Sequence, residues 1–303
     1  MLFEFYHKTM PSRIVARPFY RPPSEELRYL PECPRQLRGG RLAWVAIQHG
    51  PNAATGSLNV LDLRTMQDRS YPLPGRPGFF AETPDPEILT VGVERSLVRF
   101  DLHRGEVVTT LACLPDDPRV IINDGIGVPD GVIFGTKHLQ FNQPIAALYH
   151  YGKVLRELRG GQICSNGKFF HDGLLVDIDT QPKTITEYRY YADAPLETLR
   201  LITPPDRLPS LPDGLRPTAD GLAIVVAYYN PGHVADGLAQ QIRLADGEVE
   251  REWVIPGSPR VTCPEFVTLD GRVHLLFTTA VEGMPAETRA IAPEAGTMFL
   301  ADV

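Results

Sequence analysis

The sequence predicts an all-β fold, a six-bladed β-propeller that forms a single domain over residues 1–303. Three observations carry that expectation. Short β-rich runs fill the chain. Asp-Gly turns recur at a nearly constant spacing. An oxygen-bearing side chain stands at a nearly constant offset before each turn.

The runs include RLAWVAI, SLNVLDL, EILTVGV, SLVRFDL, GVIFGT, AALYHY, LLVDID, LAIVVAYY and VHLLFTT. Most are bounded by Gly, Pro or Asp-Gly, as strands of an antiparallel sheet would be. The 29 prolines and 26 glycines are spread along the chain, which favours many tight turns over two domains joined by a tether. Helical periodicity is scarce.

The turns set the period. Asp130-Gly131, Asp172-Gly173, Asp220-Gly221 and Asp270-Gly271 follow one another at 42, 48 and 50 residues. A repeat near that length suits a four-stranded blade, and neither a β-sandwich nor a β-helix calls for one so long. The final repeat is one strand short, while RIVARPFY precedes the first. A strand over about residues 13–22 is therefore expected to close the last blade against GTMFLADV.

The offset carries the function. Asn123 lies seven residues before Asp130, Asn166 six before Asp172, Asp213 seven before Asp220 and Thr262 eight before Asp270. Glu32 lies seven before Gly39, in the turn of LRGGRL. The first strand of each propeller blade lines the central channel, so equivalent positions far apart in sequence converge on the axis. Taken singly, Asn123-Asp124-Gly125, Asn166-Gly167 and Asp213-Gly214 are ordinary loop sequences. Turn chemistry alone, however, does not require one offset in every blade. A ring of oxygen donors without His or Cys favours one hard divalent cation. Calcium, magnesium and manganese fit best, and zinc and iron(II) are compatible.

Composition narrows the partners. The net charge is −7 and no run of Lys or Arg occurs, which argues against nucleic acid. No apolar stretch of about 18 residues is present to span a membrane. The opening MLFEFYHKTMPSRIV lacks the apolar core and cleavage site of a secretory leader. Cys33, Cys113, Cys164 and Cys263 have no C-x-x-C spacing, so they read as reduced thiols of a cytoplasmic protein. Cys33, Cys164 and Cys263 adjoin ring positions and read as small buried packing residues. Trp44 and Trp253 read as blade packing, and His233 as a loop histidine. A monomer or homodimer acting on a small molecule is expected.

Several segments carry a family resemblance. LPECP before RLAWVAI is similar to an opening G-E-[GC]-P with a Trp-bearing strand. INDGIGVPDGVIFGT is similar to N-D-G-x-x-D-P-x-G-x-x-x-G-T, SNGKFF to [SP]-N-G-L-x-W, and LPDGLRPTADGLAIVVA to P-D-G-x-x-x-D-x-x-G-x-x-W-V-A. In order and spacing along nearly the whole chain, the sequence resembles the gluconolactonase/regucalcin (senescence marker protein) family, which is luciferin-regenerating-enzyme-like. The resemblance implies a metal held by Glu32, Asn166 and Asp213. It also implies that Asp213 activates water, that Asn123 contacts metal-bound water or substrate, and that sugar lactones are hydrolysed. The cation would act as Lewis acid and Asp213 as general base. Another ester or phosphotriester hydrolase on the same scaffold, or a non-enzymatic metal-binding propeller, are the alternatives.

The sequence departs from that family around the substrate. The family Arg of R-x-N-D-G is Ile121 here, with Arg119 one strand period earlier. The loop KHLQFNQP has no acid and offers His138, Gln140 and Asn142 as polar substitutes, and the Trp of N-G-L-x-W is Phe170. Ile121 cannot donate a hydrogen bond, so a lactone with fewer hydroxyls than glucono-δ-lactone is expected as the better substrate.

Overall fold

A computed structural model describes residues 11–303. Residues 1–10, which open both the single-domain span and the stretch examined for a leader, lie outside the described residues.

Each blade starts with a hairpin, and the sequence dictates its turn. Asp172 and Gly173 have φ of 47° and 76°, and Asp270 and Gly271 of 49° and 75°. Positive φ at both central residues matches the right-handed twist of the paired strands, and Asp-Gly adopts it at little cost. The strands leaving these turns are rich in Val, Ile, Leu and aromatic residues, which suit a pleated surface buried on both faces.

The result is six sheets. The inner strands of blades one to six are Pro31–Leu37, Pro77–Glu82, Val120–Val128, Ser165–His171, Leu211–Pro217 and Val261–Leu269. Each lies beside the next, and the sixth returns to the first, so the ring is closed as predicted. Only two short α-helices, Glu25–Tyr29 and Ala286–Ile291, interrupt the β-structure of the described residues.

The N-terminal segment straddles two blades. Arg17–Tyr20 pairs antiparallel with Met298–Asp302 as the outer strand of blade six. Ser12–Val15 instead pairs parallel with Val249–Ile255 and adds a fifth strand to blade five. The stretch expected as one strand over 13–22 is thus two strands on neighbouring sheets.

The core lies between blades. Phe79 of blade two stacks on Phe134 of blade three at 5.7 Å, and Phe134 stacks on Tyr149 at 5.6 Å. Trp44 and Trp253 are fully buried. Trp253 of blade five donates from Nε1 to the Asp302 carbonyl of blade six at 3.0 Å. Cys33, Cys164 and Cys263 are buried free thiols and Cys113 is exposed. No helix among the described residues is long and apolar enough to cross a membrane.

Candidate metal centre

All six inner strands are irregular at the same level. Pairing with the second strand shifts register between Glu32 and Arg35, Pro77 and Phe79, Ile122 and Gly125, Ser165 and Lys168, Pro212 and Leu215, and Val261 and Cys263. A bulge bends its strand and re-aims the side chains it carries. Glu32, Asn123, Asn166 and Asp213 all sit at these bulges, and all four line one cavity of about 370 Å³. Thr262 does not line it. Its hydroxyl donates to the Pro31 carbonyl at 2.6 Å and ties blade six to blade one.

Asn166-Gly167 and Asp213-Gly214 are not turns. Both lie inside inner strands. A Cβ on Gly167 would fall 2.3 Å from the Leu215 nitrogen, and one on Gly214 would fall 2.6 Å from Cys263 Sγ. Glycine is present because the neighbouring inner strand passes too close for any side chain.

The amides are locked by hydrogen bonds. Asn123 Nδ2 donates to Asn166 Oδ1 at 2.9 Å and to the Ser165 carbonyl at 2.9 Å. Asn166 Nδ2 donates to Thr180 Oγ1 at 2.8 Å, and that hydroxyl donates to the Pro212 carbonyl at 2.8 Å. The chain of bonds runs from blade three through blade four to the residue before Asp213, and it fixes which edge of Asn166 carries oxygen.

The carboxylates are held against their chemistry. Burial, then the charge of Asp124, pushes Glu32 up to about 8, although Oε2 accepts from the Cys33 nitrogen at 2.9 Å. Burial, then the charges of Glu32 and Asp124, holds Asp213 well above the usual carboxylate range. Asp124 is raised by burial too, and its Oδ2 is buried without any hydrogen-bond donor. Three carboxyl groups that repel one another in a low-dielectric channel, with one oxygen unpartnered, fit a bound cation. Among the described residues no three His, Cys, Asp or Glu side chains form a metal cluster. The predicted set holds only two such residues, Glu32 and Asp213, with Asn166 as the third.

The predicted substrate residues fare differently. Asn123 is at the cavity. Ile121 is buried, and the structure does not bring it to the cavity wall. Arg119 points outward, where it is exposed and paired with Asp117 at 2.7 Å, so it does not stand in for the absent family Arg. His138 is buried, with Nδ1 accepting from the Asn142 and Gln143 nitrogens at 3.3 and 3.2 Å; it shapes the loop instead of facing substrate. Gln140 is exposed and away from the cavity. Phe170 packs edge-on against Tyr190 at 5.3 Å, and His233 Nδ1 lies 3.1 Å from Thr288 Oγ1.

Three residues at the centre escaped the sequence reading. Asp124 looked like a turn residue inside N-D-G. Thr180 follows the strand Leu174–Asp179 with no motif around it. Lys137 directly follows FGT in the strand Gly131–His138, in a segment judged for its missing acid and not for its cation.

A family model described as SMP-30/gluconolactonase/LRE-like region matches residues 30–281. The chain belongs to this family. Similar solved structures of this SMP-30/gluconolactonase fold include a calcium-binding protein, regucalcin, from Agrobacterium tumefaciens strain C58. It is 20% identical, with a TM-score of 0.81 over 96% of this chain and 95% of that one. A luciferin-regenerating enzyme is 18% identical, with a TM-score of 0.77 over 95% and 96%. A gluconolactonase from Xanthomonas campestris is 14% identical, with a TM-score of 0.66 over 97% and 98%. At these identities the likeness is one of fold. No curated protein matches the sequence.

Proposed function

We propose that this family member is a metal-dependent lactonase, opening a lactone to its hydroxy acid. One observation carries the reading. Glu32 and Asp213 bury two mutually repelling carboxyl groups beside Asn166 on the wall of one cavity. Without a cation that arrangement is costly, and the cost is removed when one binds. The matched family, the calcium-binding regucalcin and the gluconolactonase of the same fold support it.

Glu32, Asn166 and Asp213 would hold the ion, with Asn123 beside them. When bound, a divalent cation supplies Lewis acidity towards an ester carbonyl and a water molecule. Asp213 takes the proton from the attacking water as general base. The water oxygen bonds to the carbonyl carbon, the ring C–O bond breaks, and the proton returns to the leaving oxygen. Asn123 and Thr180 keep the Asn166 amide oriented throughout, so no reorganisation is needed during the reaction.

The test is a pH-indicator assay of γ- and δ-lactones on chelator-treated protein resupplied with calcium, magnesium, manganese or zinc. Turnover restored by a divalent ion is the expected result. Absence of turnover with every ion, or undiminished turnover after chelation, would overturn the proposal.

A further inference from the structure

The upper cavity wall is largely apolar. Leu30, Ile47, Phe141, Leu211 and Pro231 contribute to it. Three charged residues, Lys137, Arg260 and Glu282, interrupt it. Lys137 lies near the end of the second strand of blade three, Gly131–His138, and bridges Cys164, two residues before Asn166, so its stem runs beside the candidate metal centre. The residue is 9% exposed. Its Nζ has no acceptor within hydrogen-bond distance and no carboxylate within ion-pair distance among the described residues. The centroid of the Phe141 ring lies 5.7 Å from it.

Of the other two, Arg260 keeps a buried Nε without an acceptor, and both Arg260 and Glu282 contact Tyr229. Arg260 lies over the Tyr229 ring at 5.3 Å and reaches the Gly283 carbonyl at 3.5 Å. Glu282 accepts from the Tyr229 hydroxyl at 3.2 Å. An ammonium at the cavity wall, on a side chain nine-tenths buried and with no carboxylate within ion-pair distance among the described residues, can take an anionic ligand group. The carboxylates at the channel centre do not serve, because they are the groups a cation would occupy.

We propose that Lys137 determines specificity, and that the substrate is a lactone whose ring carries a carboxylate, paired with the Lys137 ammonium while the ring body lies on the apolar wall. This deepens the lactonase reading above and rests on it for the scissile bond. Ile121 acquires a role in the same picture. It stands directly across from Lys137 on the neighbouring strand, and its apolar side chain supports the lysine stem without competing for the ligand.

The experiment compares a γ-butyrolactone bearing a ring carboxylate with the corresponding carboxamide. Turnover and calorimetric binding are measured on wild type, Lys137→Met and Lys137→Arg. Wild type is expected to favour the carboxylate by at least about tenfold, the size of one charge-assisted hydrogen bond. Lys137→Met should bring that ratio close to unity, mainly through KM, and Lys137→Arg should retain most of it. A wild-type ratio near unity, or an equal loss on both compounds in Lys137→Met, overturns the assignment. If neither compound is hydrolysed, the binding ratio still decides. A carboxylate preference lost in Lys137→Met upholds the lysine and sinks only the hydrolytic reading, whereas equal binding sinks the lysine.

Discussion

Asn123 Nδ2 donates to Asn166 Oδ1 across 2.9 Å, joining blade three to blade four at the channel. Asn166 Nδ2 is engaged in turn by Thr180 Oγ1, so the amide oxygen has one allowed orientation. Outer partners of this kind are typically worth about 10–100-fold in metal affinity. Thr180→Val, which keeps the shape and removes the hydroxyl, is therefore expected to weaken calcium binding by about tenfold or more. Calorimetric titration of wild type and variant measures it, and an unchanged affinity would show that Asn166 needs no such support.

Asp213→Ala should do more, since it removes a proposed ligand and the proposed base together. A loss of turnover of at least about a thousandfold is expected, together with loss of the thermal stabilisation that excess calcium confers by binding the folded state. Asn166→Ala should lose the stabilisation while leaving the Asp213 carboxylate in place. A triple variant of Glu32, Asn166 and Asp213 with wild-type metal content would move the site elsewhere.

The channel glycines make a sharper test of geometry. A methyl group on Gly167 would fall 2.8 Å from the Asp213 carbonyl as well as 2.3 Å from the Leu215 nitrogen, both backbone atoms that cannot step aside. Gly167→Ala is expected to destabilise by about 2–3 kcal/mol, the range of overpacked cores, and to displace Asp213. Gly39→Asn is the control. Gly39 has φ of 79° with nothing within 4 Å of a Cβ, and asparagine tolerates that conformation. Its melting temperature should scarcely move.

Behind Asn166 lies a buried ion pair. Lys168 Nζ and Asp177 Oδ1 are 3.2 Å apart with side chains 0% and 1% exposed. Lys168 also donates to the Asn166 carbonyl at 2.5 Å, and Ser165 Oγ donates to Asp177 Oδ1 at 2.8 Å. Removing one partner should cost about 3–5 kcal/mol, because the other charge is left buried alone. Lys168→Met with Asp177→Leu should cost much less than the sum of the single changes in a double-mutant cycle.

That pair also sets a pH dependence. Burial holds Asp177 up at about 6, against the pull of Lys168, Ser165 and Gln162. A folded-state value above the unfolded one means a contribution to stability that is complete below the ordinary aspartate value and lost as pH rises through about 6. Between about pH 4 and about pH 7, wild type should lose on the order of 2 kcal/mol relative to Asp177→Asn. Urea unfolding of both at several pH values checks the sign. A wild type that gains stability relative to the variant over that interval would mean that Lys168 outweighs burial.

The blades were legible because each repeats a local signal. Asp-Gly at the first hairpin of blades four and six fixes a turn type, and the apolar runs around it read as strands. The ring at Glu32, Asn123, Asn166 and Asp213 was legible for the same reason, since a constant offset from a turn becomes a constant height in the channel. The substrate wall has no such repeat. Arg119 was proposed from strand periodicity, but Asp117, two residues before it, holds it outside. His138 lies one strand step from Lys137, so the two face opposite sides, the lysine the cavity and the histidine its own loop, and the loop sequence alone does not say which is which. Thr180 matters through contacts with two other blades, and no window of sequence contains them.

The two N-terminal strands have a consequence for association. Ser12–Val15 covers the outer edge of Val249–Ile255, and Arg17–Tyr20 covers that of Met298–Asp302. Both cap outer rims and neither reaches the channel. Proteolysis just before Arg21 would therefore strip two adjacent rims at once while leaving the inner strands paired. Bare β-edges seek a strand from any neighbouring chain. The clipped protein should keep its cavity yet assemble into concentration-dependent oligomers through those rims, an effect that sedimentation would detect before any loss of fold.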